Sequence, residues 1–305
     1  VTGGAGYIGT TLVPMLLNKG YKVSVLDNLM YGSDPLLNFF NYDNFNFIHG
    51  DIRDQSILKD SLKGIDIIIH LAAIVGFPAC KKSPELARAV NVEGTKLIND
   101  LRSKNQVIFF GSTGSNYGDL EDDICTEETQ LNPLTEYGVT KTEAEKYLLN
   151  AGNAIAYRFA TAFGVSPRLR IDLLINDFVY QALNNKNLIV YEKHFMRTFI
   201  DVSDIARAFI FGINNIDIMM NNVYNVGDDS MNYSKEQICI EIKKIIDYYL
   251  HFADIGQDLD KRNYIVSYDK INALGFKSKV NLQDGINHLV KALSIVSIEN
   301  KYSNI

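Results

Sequence analysis

A chain of 305 residues, 47% of them apolar, can bury the core of a large α/β domain with or without a smaller lobe, and is too apolar to stay disordered. Its net charge of −6, with lysine and arginine scattered rather than striped, argues against a nucleic-acid partner. No apolar run of about 18 residues predicts a membrane span. Cys80, Cys125 and Cys239 lack metal-ligand spacing, so no metal site is expected; they read as buried or half-buried thiols of a reducing cytosol.

The chain opens on VTGGAGYIG, a glycine loop that ordinarily follows a full strand of about five residues; a few residues are therefore expected to precede Val1. Gly3, Gly6 and Gly9, with Tyr7 and Ile8 between the last two, lead into a helix predicted over 8–19. Small residues let the backbone approach a pyrophosphate, and the helix start supplies free N–H groups and a favourable dipole. A strand over 21–27 ends in Asp27, placed to accept hydrogen bonds from the adenosine ribose hydroxyls. A carboxylate there repels a 2′-phosphate, and the neighbouring Asn28 is no arginine, which favours NAD over NADP.

The next strand, over 44–51, runs into GDIRD. Asp51 and Ile52 can bracket an adenine, or stand as a turn acid and a core isoleucine; both readings remain open. After a helix over 55–63 comes the strand 64–73, where His70 reads as a satisfied core histidine and is followed by Leu71, Ala72 and Ala73. Then follow a helix over 84–103 carrying Asn91, a strand over 106–113 ending in Thr113, a helix over 135–150 and a strand over 153–161. Several of these strands are nearly continuous apolar runs, as in parallel sheets covered on both faces. The βαβα order predicts an α/β doubly wound parallel sheet.

In the second half, helices are predicted over 172–184, 201–213 and 234–250, with a strand over 187–191. The division expected is a dinucleotide-binding unit over 1–162 and, over 163–305, a smaller intertwined substrate lobe with segments returning to the first. Tyr137 and Lys141, four residues apart in TEYGVTK, share one face of the 135–150 helix, which by itself suits a surface pair as well as a proton-handling couple. Lys146 lies opposite Tyr137 and reads as solvated.

TGGAGYIG, Asp27, GDI, HLAA (70–73), NVEGT with Asn91, GSTGSNYG (111–118) and YGVTK (137–141) occur in order and at suitable spacing. Together they resemble the extended short-chain dehydrogenase/reductase family of NAD-dependent nucleotide-sugar epimerases and dehydratases, nearly end to end. The stretches 163–179, 196–209 and 255–267 are similar to a narrower group that includes GDP-heptose 4-dehydrogenases of surface-polysaccharide pathways. The resemblance implies a Rossmann fold, bound NAD and a nucleoside-diphosphate sugar as substrate. It also implies a cytoplasmic homodimer joined through the helices 84–103 and 135–150, where Ala144 and Leu148 either offer apolar surface or pack inside the monomer. Residue by residue, it makes Tyr137 the catalytic base, Lys141 its partner and Thr113 the hydroxyl that holds the substrate oxygen. The cofactor would be held by Gly3, Gly6, Tyr7, Ile8, Gly9, Asp27, Asn28, Asp51, Ile52, Leu71, Ala72, Ala73 and Asn91, together with Tyr137 and Lys141. The sugar nucleotide would meet Thr113, Asn176, Arg197 and Arg262.

A free tyrosine has a pKa of about 10, and bringing it near 7 takes roughly 4 kcal/mol, within reach of two nearby cations, Lys141 and an oxidised nicotinamide. Gly114 and Ser115 stand where dehydratases of this family carry an Asp-Glu pair, so elimination of water lacks its acid and base. Oxidation at C4 of the sugar remains, ending either as an epimerase or as a 4-dehydrogenase. A non-catalytic NAD-binding sensor or scaffold is the reading from another class.

Overall fold

The computed structural model describes residues 1–118, 124–253, 264–297 and 302–304. Its main sheet is built from β1 (Val23–Asp27), β2 (Phe45–His49), β3 (Ile67–His70) and β4 (Val107–Thr113), which the sequence predicts as strands. The short β5 (Ile124–Cys125) lies outside this sheet, and β6 (Ala154–Phe159) joins it. Thr2 bridges Leu26 and His70 in parallel, so the chain's first residues lie between β1 and β3. Every ladder here is parallel: β1 with β2, β3 with β4, and β4 with β6. All six residues of β6 are buried, as a strand covered on both faces requires.

The sheet is finished from far along the chain. After β7 (Thr161–Phe163), β8 (Asn187–Tyr191) and β9 (Met196–Asp201), strand β10 (Asn222–Val226) returns to pair in parallel with β6. The helix Val202–Asn214, capped by the Asp201 carboxylate on the Ser203 amide, packs against the helix Gly9–Asn18. β9 pairs with β7 and, antiparallel, with β11 (Asn232–Ser234); β8 pairs with β12 (Tyr249–Ala253). Helices Leu174–Asn184, Lys235–Lys243 and Leu282–Leu293 bury Ile175, Val179, Ile238, Ile242, Ile286 and Leu289 in a second core with Phe163 and Phe199.

Two predicted helices differ in detail. The one expected over 234–250 starts from a Ser234–Gln237 capping box but stops at Lys243, because Tyr249–Ala253 is drawn into pairing with β8. The one expected over 84–103 is interrupted by a π-helical turn over Ala89–Gly94. The helix Leu282–Leu293 and the strands β9 and β10 have no counterpart in the sequence reading. All three cysteines are buried and free. No helix among the described residues is long and apolar enough to cross a membrane, and none of their acids, histidines and cysteines cluster as a metal site would need.

Candidate active site

Strand order turns around at the chain's first residues, and the crevice at the carboxyl ends of β1 and β3 is where such a sheet opens a ligand site. A single cavity there is lined by Gly3, Gly6, Tyr7, Ile8 and Gly9, by Asp27 and Asn28, by Asp51 and Ile52, by Leu71, Ala72 and Ala73, and by Thr113, Tyr137 and Lys141. Most of the residues nominated from sequence thus meet in one place.

The glycine loop is held tightly at its start. Gly3 has φ +71°, and a Cβ there would sit 2.6 Å from the Ala72 nitrogen, so only glycine brings this loop onto the β3 end. Asp27 accepts from the Ala5 amide at 2.9 Å and from the Leu29 amide at 2.8 Å, which fixes the acid at the loop's edge. Burial raises its pKa against those two hydrogen bonds. Asp51 is gripped by Arg53 through two side-chain nitrogens (2.9 and 2.8 Å), which holds its carboxyl down to about 2, and it also accepts from Asn28. Ile52 is buried against Gly94.

His70 belongs to the core. Thr95 donates its hydroxyl to the Asn91 carbonyl at 2.7 Å, so it must accept from His70 Nε2 at 2.8 Å; Nδ1 then accepts from Thr2 at 2.7 Å. Burial drives the imidazole pKa down to about 3, so it is neutral at pH 7.

The helix Glu136–Ala151 is capped by Thr135, whose hydroxyl accepts from the Gly138 amide. It presents Tyr137 and, one turn on, Lys141 to the cavity. Lys141 is only 3% exposed, with Nζ 3.9 Å from the centre of the Phe110 ring. Burial pulls its pKa down to about 7, opposed by the charge of Glu145 a turn further. Glu145 in turn pairs with Arg158 on β6 at 2.6 Å and accepts from Ser112 at 2.6 Å and Asn116 at 3.2 Å. This buried network ties the helix to the end of β4, where Thr113 both donates to the Ser115 hydroxyl and accepts from the Ser115 amide. Gly114 leaves room for Tyr264, whose hydroxyl would lie 3.1 Å from a Cβ at that position. Lys146 is exposed, and Tyr147 donates to Asp100 on the neighbouring helix.

Three nominated residues stand apart from the described cavity wall. Asn91 is 1% exposed and its amide is spent on the Ile74 amide and carbonyl and the Thr140 hydroxyl; it braces the loop after β3 rather than facing a ligand. Asn176 is fully buried, pinning the Gly164 amide and the Gly164 and Arg170 carbonyls. Arg197 is buried on β9, donating to its neighbour's carbonyl. Arg262 lies outside the described residues. Conversely, Tyr31, Phe159, Thr161, Arg168, Arg170 and Tyr264 line the cavity without having been nominated. Of these, Arg168 and Arg170 fall in the stretch 163–179 that resembles the narrower group, but nothing in the sequence singles either of them out.

The cavity suits a dinucleotide on its own chemistry. The loop admits no side chain at Gly3, the helix start faces it, and Thr161 Oγ1 and Arg168 Nε are buried there without a hydrogen-bond partner among the described residues.

Comparison with known proteins agrees in fold and in sequence. The chain is 28% identical to a putative UDP-glucose 4-epimerase of Methanocaldococcus jannaschii over 95% of its length and 96% of the relative's. It is 29% identical to the low-salt glycan biosynthesis protein Agl12 of Haloferax volcanii, covering 94% of this chain and 95% of that one. The structure superposes on UDP-glucose 4-epimerase from Thermotoga maritima, solved with UDP-glucose, with a TM-score of 0.83 at 25% identity, over 96% and 97% of the two chains. Residues 1–227 match the model of the NAD dependent epimerase/dehydratase family, and with that span covering the whole glycine-loop sheet, the chain belongs to this family.

Proposed function

We propose that this protein is an NAD-dependent nucleotide-sugar 4-epimerase, in which Tyr137 takes the proton from the sugar's C4 hydroxyl. The observation that carries the reading is the convergence of Tyr137, Lys141 and Thr113 on the cavity that also holds the glycine loop. NAD, when bound, supplies the acceptor for the C4 hydride and its source when the ketone is reduced on the other face. Lys141, which burial brings to about 7, supplies positive charge beside the phenol in its protonated form, and Thr113, with its own proton directed at Ser115, has oxygen lone-pair capacity to orient the substrate hydroxyl. Residues 1–162 would hold the cofactor, and 163–305 mainly the sugar nucleotide.

Relatives named for UDP-glucose make UDP-hexoses the first substrates to test, and the glycan-biosynthesis relative fits a role in making surface-polysaccharide sugars in the cytosol. The GDP-heptose or GDP-hexose type suggested by 163–179, 196–209 and 255–267 belongs in the same panel. Incubated with UDP-, GDP- and dTDP-sugars, the enzyme is expected to yield a C4 epimer without lasting absorbance from NADH. Stable NADH with a keto sugar would instead identify a 4-dehydrogenase. Tyr137→Phe is expected to lower turnover by about 10²–10⁴ while NAD still binds. Full turnover in that variant would sink the assignment of the base, and NAD binding with no turnover of any sugar would favour the sensor or scaffold.

We also propose a homodimer through the helices around Pro84–Leu101 and Glu136–Ala151. Ala144 and Leu148, read as candidates for that face, are fully buried within the monomer, leaving exposed Leu134 and Val139 as its apolar surface.

A further inference from the structure

The segment GVSPRLR (164–170) is stitched to the end of the glycine loop and the start of the helix that follows it. Tyr7 donates its hydroxyl to the Gly164 carbonyl at 2.8 Å, and Ser166 donates to the Tyr7 carbonyl at 2.7 Å. The Ser166 and Thr10 hydroxyls lie 2.9 Å apart, and the Arg168 amide donates to Thr10 at 3.3 Å. These bonds set Arg168 beside the start of the helix Gly9–Asn18.

Arg168 is an expensive residue as it stands. It is 2% exposed, its guanidinium lies 4.2 Å from the centre of the Tyr31 ring, and one terminal nitrogen donates weakly to the Ser303 carbonyl at 3.4 Å. Its Nε has no partner, and no carboxylate among the described residues pairs with it, whereas Arg170 two residues on is answered by Asp172. Burial, with the charge of Arg170 close by, holds its pKa down to about 10. A buried cation without a counter-charge persists only where something else repays it. Arg168 and Tyr31 line the same cavity as Gly6, Tyr7 and Ile8.

We propose that Arg168, stacked on Tyr31, is a pyrophosphate-binding residue for the cofactor, closing on the phosphates from beside the glycine loop. The planar fork suits a diphosphate, and stacking fixes its plane in advance. This rests on the reading of the cavity as the NAD site. A diphosphate is also part of the sugar nucleotide, so the test has an arm for each source.

Binding of ADP-ribose, and of UDP and GDP, is measured by titration calorimetry on the full chain at several salt concentrations, with folding checked by thermal melting. Arg168→Met is expected to weaken ADP-ribose about ten- to hundredfold and flatten its salt dependence, leaving UDP and GDP unchanged. Arg168→Lys, which keeps the charge without the fork, is expected to fall between, and serves if the methionine variant does not fold. Unchanged ADP-ribose affinity in the lysine and methionine variants overturns the proposal. So does a loss confined to UDP or GDP, which would hand the residue to the substrate. Failure of the unsubstituted protein to bind ADP-ribose or NAD would overturn the cofactor reading itself.

Discussion

Lys141 illustrates what the proposed partner of Tyr137 costs the fold. In the unfolded chain it titrates near 10.5, and in the folded protein burial brings it to about 7. Between those values the unfolded chain binds the extra proton, so stability rises with pH across that window, and the penalty is felt in full below it. Its size is roughly 5 kcal/mol, less about 0.5–2 kcal/mol returned by the Phe110 ring. Lys141→Met is therefore expected to melt at a higher temperature than the parent below pH 7, with the gap closing toward pH 10, while activity is lost. A gap independent of pH would show that burial of the charge is not what the residue costs. The lysine itself was legible in the sequence, because a spacing of four on a helix puts it beside Tyr137 without any tertiary knowledge. Arg168 was not: its neighbours Tyr31 and Thr10 lie more than a hundred residues away in sequence, and no local periodicity announces them.

The run Pro84–Leu101 shows the same limit for an element. Apolar periodicity predicts one helix there, and the extra residue of the π turn leaves no mark in that pattern. In the fold that turn carries Asn91, whose amide satisfies both backbone groups of Ile74 in the loop that brings Ala72 and Ala73 to the cavity. Asn91→Ala strands those groups and is expected to cost about 1–3 kcal/mol in denaturant unfolding. NAD affinity should fall as well, though the side chain does not line the cavity. Unchanged stability would mean that water replaces the amide and the brace is dispensable. Sequence placed Asn91 with the cofactor because the loop it supports is there; which way its amide points is decided by the turn.

The α/β class and the order of the first strands followed from apolar runs alone, since parallel strands covered on both faces leave that imprint. The pieces that went unread, β9 and β10 among them, are drawn into place by partners distant in the chain. The dimer proposed above belongs to this level: light scattering after size exclusion is expected to give twice the mass of 34.3 kDa, and Val139→Glu to shift it toward one copy. A monomeric parent protein would remove that proposal. The return of β10 to the edge of β6 has a consequence for biosynthesis. Until residue 226 has left the ribosome, β6 presents an unpaired edge on a strand destined to be fully buried. At about 5–20 residues per second that interval, counted from the emergence of β6, lasts several seconds, long enough for a nascent chain to be claimed by a chaperone or by another unfinished copy of itself.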